Sequence, residues 1–296
     1  MTRSTVPLFA AMCVIWGIPY LLIRVAVGEI SPVMLVFVRT AVGGLILMPV
    51  VLARGGLREV RGKWIPLLVF AAVEIGGPWF FLSSAEQHIS SSLAGLLVSC
   101  VPLVGMLVAP LFGHREGIGL VGIGGLALGL AGVAAIVGLD LRASDATALI
   151  QMALVAVGYA VGPVILSRYL IGVPSVSVMG ISLAACAVVY APFAAAQWPH
   201  VMPGPSVLAS VGVLAVLCTA IAFLLFFALI ERVGPVRATV ITYVNPAVAA
   251  LVGVTILHET FTVAMGVGFV LVLAGSVLAT RRRVPSRAVS PGSGSR

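Results

Sequence analysis

An almost unbroken succession of long apolar stretches constrains this chain more than any other feature. They cover residues 7–27, 32–53, 64–85, 90–112, 117–138, 147–167, 175–197, 207–230, 235–257 and 262–280. A helix rises ~1.5 Å per residue, so about twenty residues cross a hydrocarbon core of ~30 Å. In lipid every backbone N–H and C=O must be paired within the protein, which leaves helices or a closed barrel. No stretch alternates polar and apolar residues with period two, so a barrel is excluded. The predicted fold is an all-α polytopic membrane protein of ten transmembrane helices.

Composition narrows the function classes. Of 296 residues, 61% are hydrophobic and only 9% are charged. Soluble domains carry nearer ~25% charge, because charge covers their surface. A soluble enzyme, a disordered protein and a nucleic-acid binder are therefore poor readings. The first stretch follows Arg3 as a signal peptide would, but it is long for an h-region and nine more follow it, so it reads as an anchored helix. Cys13, Cys100, Cys186 and Cys218 lie inside apolar runs without Cys/His spacing, which fits small buried hydrophobes rather than metal ligands or disulfides.

The net charge of +8 has a topological explanation. With the N-terminus inside and ten alternating spans, the inner side holds fourteen of the seventeen cations: Arg3, Arg54, Arg58, Arg61, Lys63, Arg115, Arg168, Arg232, Arg237, Arg281, Arg282, Arg283, Arg287 and Arg296. Arg142 falls outside, and Arg24 and Arg39 fall within spans. Glu29, Glu86, Asp140, Asp145 and Glu259 fall in outer loops, against Glu59, Glu116 and Glu231 inside. Cytoplasmic loops carry such a Lys/Arg excess, so both termini are expected to be cytoplasmic in a multi-pass cell-membrane protein. Residues 284–296, rich in Ser, Pro and Gly, read as a disordered cytoplasmic tail.

The two halves repeat. Glu116 is followed at +9 and +16 by Gly125 and Gly132, and Glu259 by Gly268 and Gly275 at the same spacings. Pro32 and Pro174 each open the second span of their half, and the Glu pair lies about 143 residues apart. Residues 7–138 and 147–280 are thus two five-span repeats. An odd number of spans forces opposite orientations, and inverted repeats place a solute site at their interface near the midplane.

The second half carries a family signature. It runs from Thr219 through Phe226-Phe227-Ala228-Leu229-Ile230-Glu231-Arg232-Val233-Gly234, then through Asn245-Pro246, to His258-Glu259. With Trp16-Gly17, Pro32 and Arg39 in the first half, the chain resembles the drug/metabolite transporter superfamily, most closely its EamA-type members. The resemblance implies ten helices in two repeats and export of metabolites or drugs. Two positions depart from the family pattern. Arg115 stands where Glu is usual, with Glu116 one residue later, and His258 stands where Gly is usual.

Charges and aromatic residues inside the spans are the site candidates. Glu74 lies near the middle of the third span beside Gly76, Gly77 and Pro78. An ionised carboxylate at that depth is costly, so it faces a cavity, is protonated or is paired. It reads as a proton-coupling group or a contact for a cation, against a structural carboxyl bonded to a neighbouring helix. Arg39 lies within roughly 6 Å of the same depth, so an Arg39–Glu74 ion pair is expected if both face inward. Arg39 alone fits an anionic group of the solute, or a tie to backbone carbonyls. Trp16, Tyr20, Trp79, Tyr159, Tyr243 and Asn245 are the other candidates for lining a solute cavity. Trp16 and Tyr20 are four residues apart and expected on one helix face, while Asn245-Pro246 reads as either hinge or site element.

No metal, cofactor or catalytic motif stands out. There is no HExxH, GxSxG or P-loop, so the chain is read as no enzyme. The expectation is a secondary transporter that exports a small organic solute by alternating access, with proton antiport as one drive. Its partners are the solute, membrane lipid and protons, with no nucleic acid. The alternatives are a facilitated exchanger or importer without proton coupling, and an intramembrane lipid-modifying enzyme, for which no polar catalytic cluster is present.

Overall fold

The computed structural model describes residues 5–112, 119–137, 146–238 and 240–280. Arg3, Arg115, Glu116, Asp140, Arg142, Asp145, Arg281, Arg282, Arg283 and the tail 284–296 lie outside the described residues. Among the described residues ten apolar helices form the fold and no strand occurs. They are α1 (Val6–Ala26), α2 (Pro32–Ala53), α3 (Trp64–Ala85), α4 (Ser91–Phe112), α5 (Leu120–Val137), α6 (Ala146–Tyr169), α7 (Ser175–Ala196) and α8 (Pro205–Val233). Two shorter helices follow, α9 (Ile241–Ile256) and α10 (Val263–Thr280). The stretch expected over 235–257 is delivered as a single turn, Pro235–Ala238, followed by α9. The chain is an all-α membrane protein built from two inverted five-helix repeats.

Prolines and small polar residues set the helix ends. Ser31 caps α2, its Oγ accepting from Met34 N at 3.2 Å, and Pro32 occupies the first turn, where its missing N–H costs nothing. Ser90 caps α4 in the same way through Leu93 N. Inside α1, Pro19 has no N–H to donate, and the helix breaks at Trp16–Ile18 into Val6–Ile15 and Pro19–Ala26.

Helices pair across the repeats. α2 packs on α7, α5 on α10, and the first half of α4 on α9. Between helices in lipid the hydrophobic effect supplies little, so close approach of small residues carries the association. The repeated glycines do this at α5–α10. A Cβ on Gly132 would come within 2.7 Å of Gly268 O, and one on Gly275 within 2.5 Å of Gly129 N.

Loop contacts divide the bundle into two ends. At one end Gly204 N donates to Glu29 at 2.6 Å, and Glu259 meets the start of α4. At the other, Lys63 donates to the Ile171 carbonyl, Arg168 to that of Phe112, and Ser177 Oγ to Glu59 at 3.1 Å. The second end holds Arg54, Arg58, Arg61, Lys63 and Arg168.

Glu259 ties the two repeats together. Its carboxylate accepts from Ser91 N (2.8 Å), Ser91 Oγ (2.9 Å), Ser92 N (2.9 Å) and Ser92 Oγ (2.5 Å). A loop of the second repeat thus caps a helix of the first, where the helix dipole favours negative charge. Burial pushes this carboxyl up, but the bonds from Ser92 and Ser91 outweigh it and hold it below the usual range. The contact is therefore complete above the ordinary carboxylate range and is lost as pH falls through the lowered value. Glu259→Ala is expected to cost about 2 kcal/mol, read as faster hydrogen exchange at residues 89–93 in the purified protein.

The position held by His258 is one that favours glycine. Its φ is +54°, the left-handed conformation that glycine adopts without penalty. His258→Gly is expected to raise the unfolding midpoint, by about 0.5–1 kcal/mol of stability.

Candidate functional site

The two repeats carry the same defect in their third helix. α3 widens into a π-helical turn over Ala71–Gly76, and α8 does so over Val216–Ile221. A π-turn loosens the hydrogen-bond ladder and re-aims side chains, and such turns concentrate at functional sites. Each packs on the second helix of the other repeat. Cys186 Sγ and Tyr190 Oη of α7 donate to the carbonyls of Ala71 and Gly76 at 3.4 and 3.0 Å. Arg39 Nε of α2 donates to Thr219 Oγ1 of the second bulge at 3.1 Å. Glu74 and Thr219 hold the fourth position of their bulges and are repeat counterparts.

Arg39 is the centre of the cluster. It is 6% exposed, and its guanidinium carbon sits 3.7 Å from the centroid of the Trp79 ring. Stacking on an indole stabilises a desolvated cation by about 2 kcal/mol and leaves the edge of the guanidinium available. Beyond the Nε bond to Thr219, Arg39 makes no hydrogen bond to the described residues. Tyr159 of α6 packs against the cluster that contains Trp79, so α2, α3, α6 and α8 meet here. Thr219 in turn donates to Leu214 O at 2.8 Å, which fixes its oxygen toward Arg39.

The expected Arg39–Glu74 ion pair is absent. Arg39 is turned to Thr219 and Trp79 instead. Glu74 points the other way, its Oε2 pressed against Gly162 of α6, buried and without a hydrogen-bond partner. Similar depth does not fix which way a side chain points, and Glu74, inside the widened turn, is directed at α6.

The remaining candidates separate into two groups. Trp16 packs against Phe226 and Phe223 of α8, at 4.6 and 5.7 Å between ring centroids. Tyr20 is buried beside Gly95 of α4. The break after Ile15 places these two residues on successive segments rather than on one continuous helix face. Asn245 is 8% exposed, and its amide nitrogen is placed to donate to Ile241 O (2.9 Å) and Cys13 O (3.2 Å), a clamp between α9 and α1. Tyr243 is half-buried in the first turn of α9.

One residue that sequence reasoning assigned to an outer loop is buried. Glu86, at the end of α3, is 0% exposed, and both carboxylate oxygens lack a hydrogen-bond partner. Arg24 donates to its backbone carbonyl rather than to its carboxylate.

The sequence matches a known family in both halves. The EamA-like transporter family matches residues 3–138 and again 146–281, one match for each repeat. The inner membrane transporter YedA of Escherichia coli, itself uncharacterized, is 31% identical over 292 residues, covering 93% of this chain and 94% of the relative. The uncharacterized transporter YvbV of Bacillus subtilis is 24% identical over 299 residues, covering 98% and 96%. A solved structure, described only as the crystal structure of a protein, superposes with a TM-score of 0.66 at 24% identity, over 95% of this chain and 97% of that one. With the family matched in both halves around a shared pair of bulged helices, this chain belongs to the EamA-like transporter family and is a polytopic membrane transporter.

Proposed function

We propose that the chain exports a small organic metabolite or drug across the cytoplasmic membrane by alternating access, with proton antiport as its drive. The observation that carries this reading is the pair of π-turns, each packed on the second helix of the opposite repeat, with Arg39 held between Thr219 and Trp79. A loosened helix packed across an inverted repeat can change its contacts when the repeats rock, without breaking the bundle. The Arg39 guanidinium N–H groups that make no hydrogen bond to the described residues suit a carboxylate or other oxyanion of the solute. Trp16, Tyr20, Trp79 and Tyr159 supply apolar faces with polar tips for its organic part.

In this reading both termini are cytoplasmic, because the end carrying Arg54, Arg58, Arg61, Lys63 and Arg168 is the basic one. The partners are the solute, the surrounding lipid and protons, with neither cofactor nor nucleic acid. Glu74, half-buried with its Oε2 against Gly162 and without a hydrogen-bond partner there, favours the second reading in one respect. A structural Glu74 would leave facilitated exchange or import without proton coupling through that residue.

The experiment is solute flux in proteoliposomes over a panel of organic anions, zwitterions and cations, with and without a pH gradient. Export with antiport predicts uphill flux only when the gradient is imposed. Flux that ignores the gradient selects facilitated exchange, and no flux of any solute contradicts transport. Glu74→Gln is expected to leave flux unchanged if that carboxyl is structural, and to abolish the response to the gradient if it couples.

A further inference from the structure

The buried carboxyl at the end of α3 has no role in the site just described, and its repeat counterpart behaves differently. Glu86 lies fifteen residues after Ala71, the start of the first bulge, and Glu231 lies fifteen after Val216, the start of the second. Glu231 is exposed, whereas Glu86 is fully buried and neither of its oxygens is hydrogen-bonded. The inverted repeats place these two residues at opposite ends of the bundle. One glutamate is therefore sealed in protein while its counterpart meets solvent.

Both repeats pack at this end of α3, where Gln151 of α6 donates to Ser84 Oγ at 3.0 Å. Arg24 ties α1 to the Glu86 carbonyl, and the Glu259 carboxylate holds Ser91 and Ser92 a few residues further on. The charged and titratable groups facing Glu86 are Arg24 and Tyr20 from α1, Arg39 from α2, Tyr159 from α6, and Glu259 from the loop before α10. Arg24 and Arg39 favour a carboxylate here and Glu259 opposes it. The Arg24 backbone also favours the charged form, but neither oxygen has a hydrogen-bond partner, and an ion left unsatisfied in this way costs several kcal/mol.

We propose that Glu86 is a proton-binding site of the transport cycle, neutral while its end of the bundle is closed and ionised once the second repeat swings away and admits water. This rests on the alternating-access reading above. Burial holds the Glu86 carboxyl well above the ordinary carboxylate range, with Glu259 adding to the effect and the two arginines opposing it. The closed form thus binds one more proton than the open form at pH values between the ordinary and the raised value. Raising pH through that interval favours opening, and lowering it favours closure. Glu259 acts in a separate interval at lower pH, because its own carboxyl is held down.

The test needs no solute. Spin labels at His88→Cys and Phe261→Cys straddle the contact between Glu259 and Ser91, with the four native cysteines replaced, and their separation is measured by pulsed electron resonance on the full chain in nanodiscs. The ratio of long to short distances is expected to rise about tenfold per pH unit above the ordinary carboxylate range. Glu86→Gln, which mimics the neutral form, is expected to abolish that slope, and Glu59→Gln at the opposite end to keep it. No slope in the otherwise wild-type protein, or a slope that survives Glu86→Gln, overturns the proposal. Should Glu86→Gln not fold, the infrared band of a neutral carboxyl in the wild type replaces it. That band must be present at neutral pH and fade as the long distance appears, and its absence at neutral pH overturns the proposal equally. Solute flux stands apart from both readouts, so failure of the proton site and failure of the transport reading are distinguishable.

Discussion

Gly275→Leu is expected to prevent the chain from reaching its folded form in the membrane. Even one added carbon at this position would lie 2.5 Å from Gly129 N and 2.6 Å from Gly125 O. Those are backbone atoms of a rigid helix, so no rotamer change relieves the overlap. The opposing side is equally closed, since a Cβ on Gly268 would come within 2.6 Å of Gly132 O. To admit leucine, α5 and α10 would have to separate by more than an ångström along their length. Overpacking in a tight interface costs about 3 kcal/mol or more, and here the close backbone contacts on which association in lipid depends are lost with it. The expected readout is loss of the monodisperse purified protein and of its cooperative thermal transition. Gly124→Leu is the comparison, because a side chain there meets nothing within 4 Å. Normal yield of Gly275→Leu would show that α5 and α10 do not pack through these glycines.

Arg39→Ala is expected to reduce solute flux by about a hundredfold or more, with little loss of yield. The argument has two parts. A buried guanidinium stacked on Trp79 and bonded once to Thr219 has most of its donor capacity unspent. A charge-assisted bond to a solute oxyanion contributes about 1.5–3 kcal/mol, and a bidentate one exceeds that. Removing the side chain also leaves Trp79 without the cation over its ring and Thr219 Oγ1 without its donor. Arg39→Lys separates charge from shape. Lysine keeps the positive charge but has neither the planar face for Trp79 nor the fork for two oxygens, so it is expected to recover only a minor part of the flux. Full activity of Arg39→Lys would mean that Arg39 acts as a point charge rather than as a shaped ligand.

Much of the architecture was legible in the sequence because lipid makes hydropathy a strict reporter of segments. Span order, the repeat and the paired glycines at +9 and +16 all reappear, and Gly132 and Gly268 prove to face each other. What hydropathy averages over was not legible. The segments AAVEIG and VLCTAI share no residue pattern that announces a π-turn, yet that turn decides where Glu74 and Thr219 point. Depth along the membrane suggested that Arg39 and Glu74 could pair, but depth says nothing about the rotation of each helix. Glu86 escaped for a related reason. A charge just past an apolar run reads as a loop residue, and only the tertiary structure shows that it is buried and tied to α1. Asn245, open between hinge and site from the sequence, proves to tie α9 to α1.

The central claim is that the cluster between the repeats is reached from each side of the membrane in turn. Its most direct test is a single cysteine at Tyr159, in a background with the four native cysteines replaced, reacted with a membrane-impermeant maleimide in oriented vesicles. The account predicts labelling from the outside and, in inverted vesicles, from the inside. It also predicts that a transported solute protects the cysteine from both sides. Labelling from one side alone, whatever the solute or pH, would contradict it.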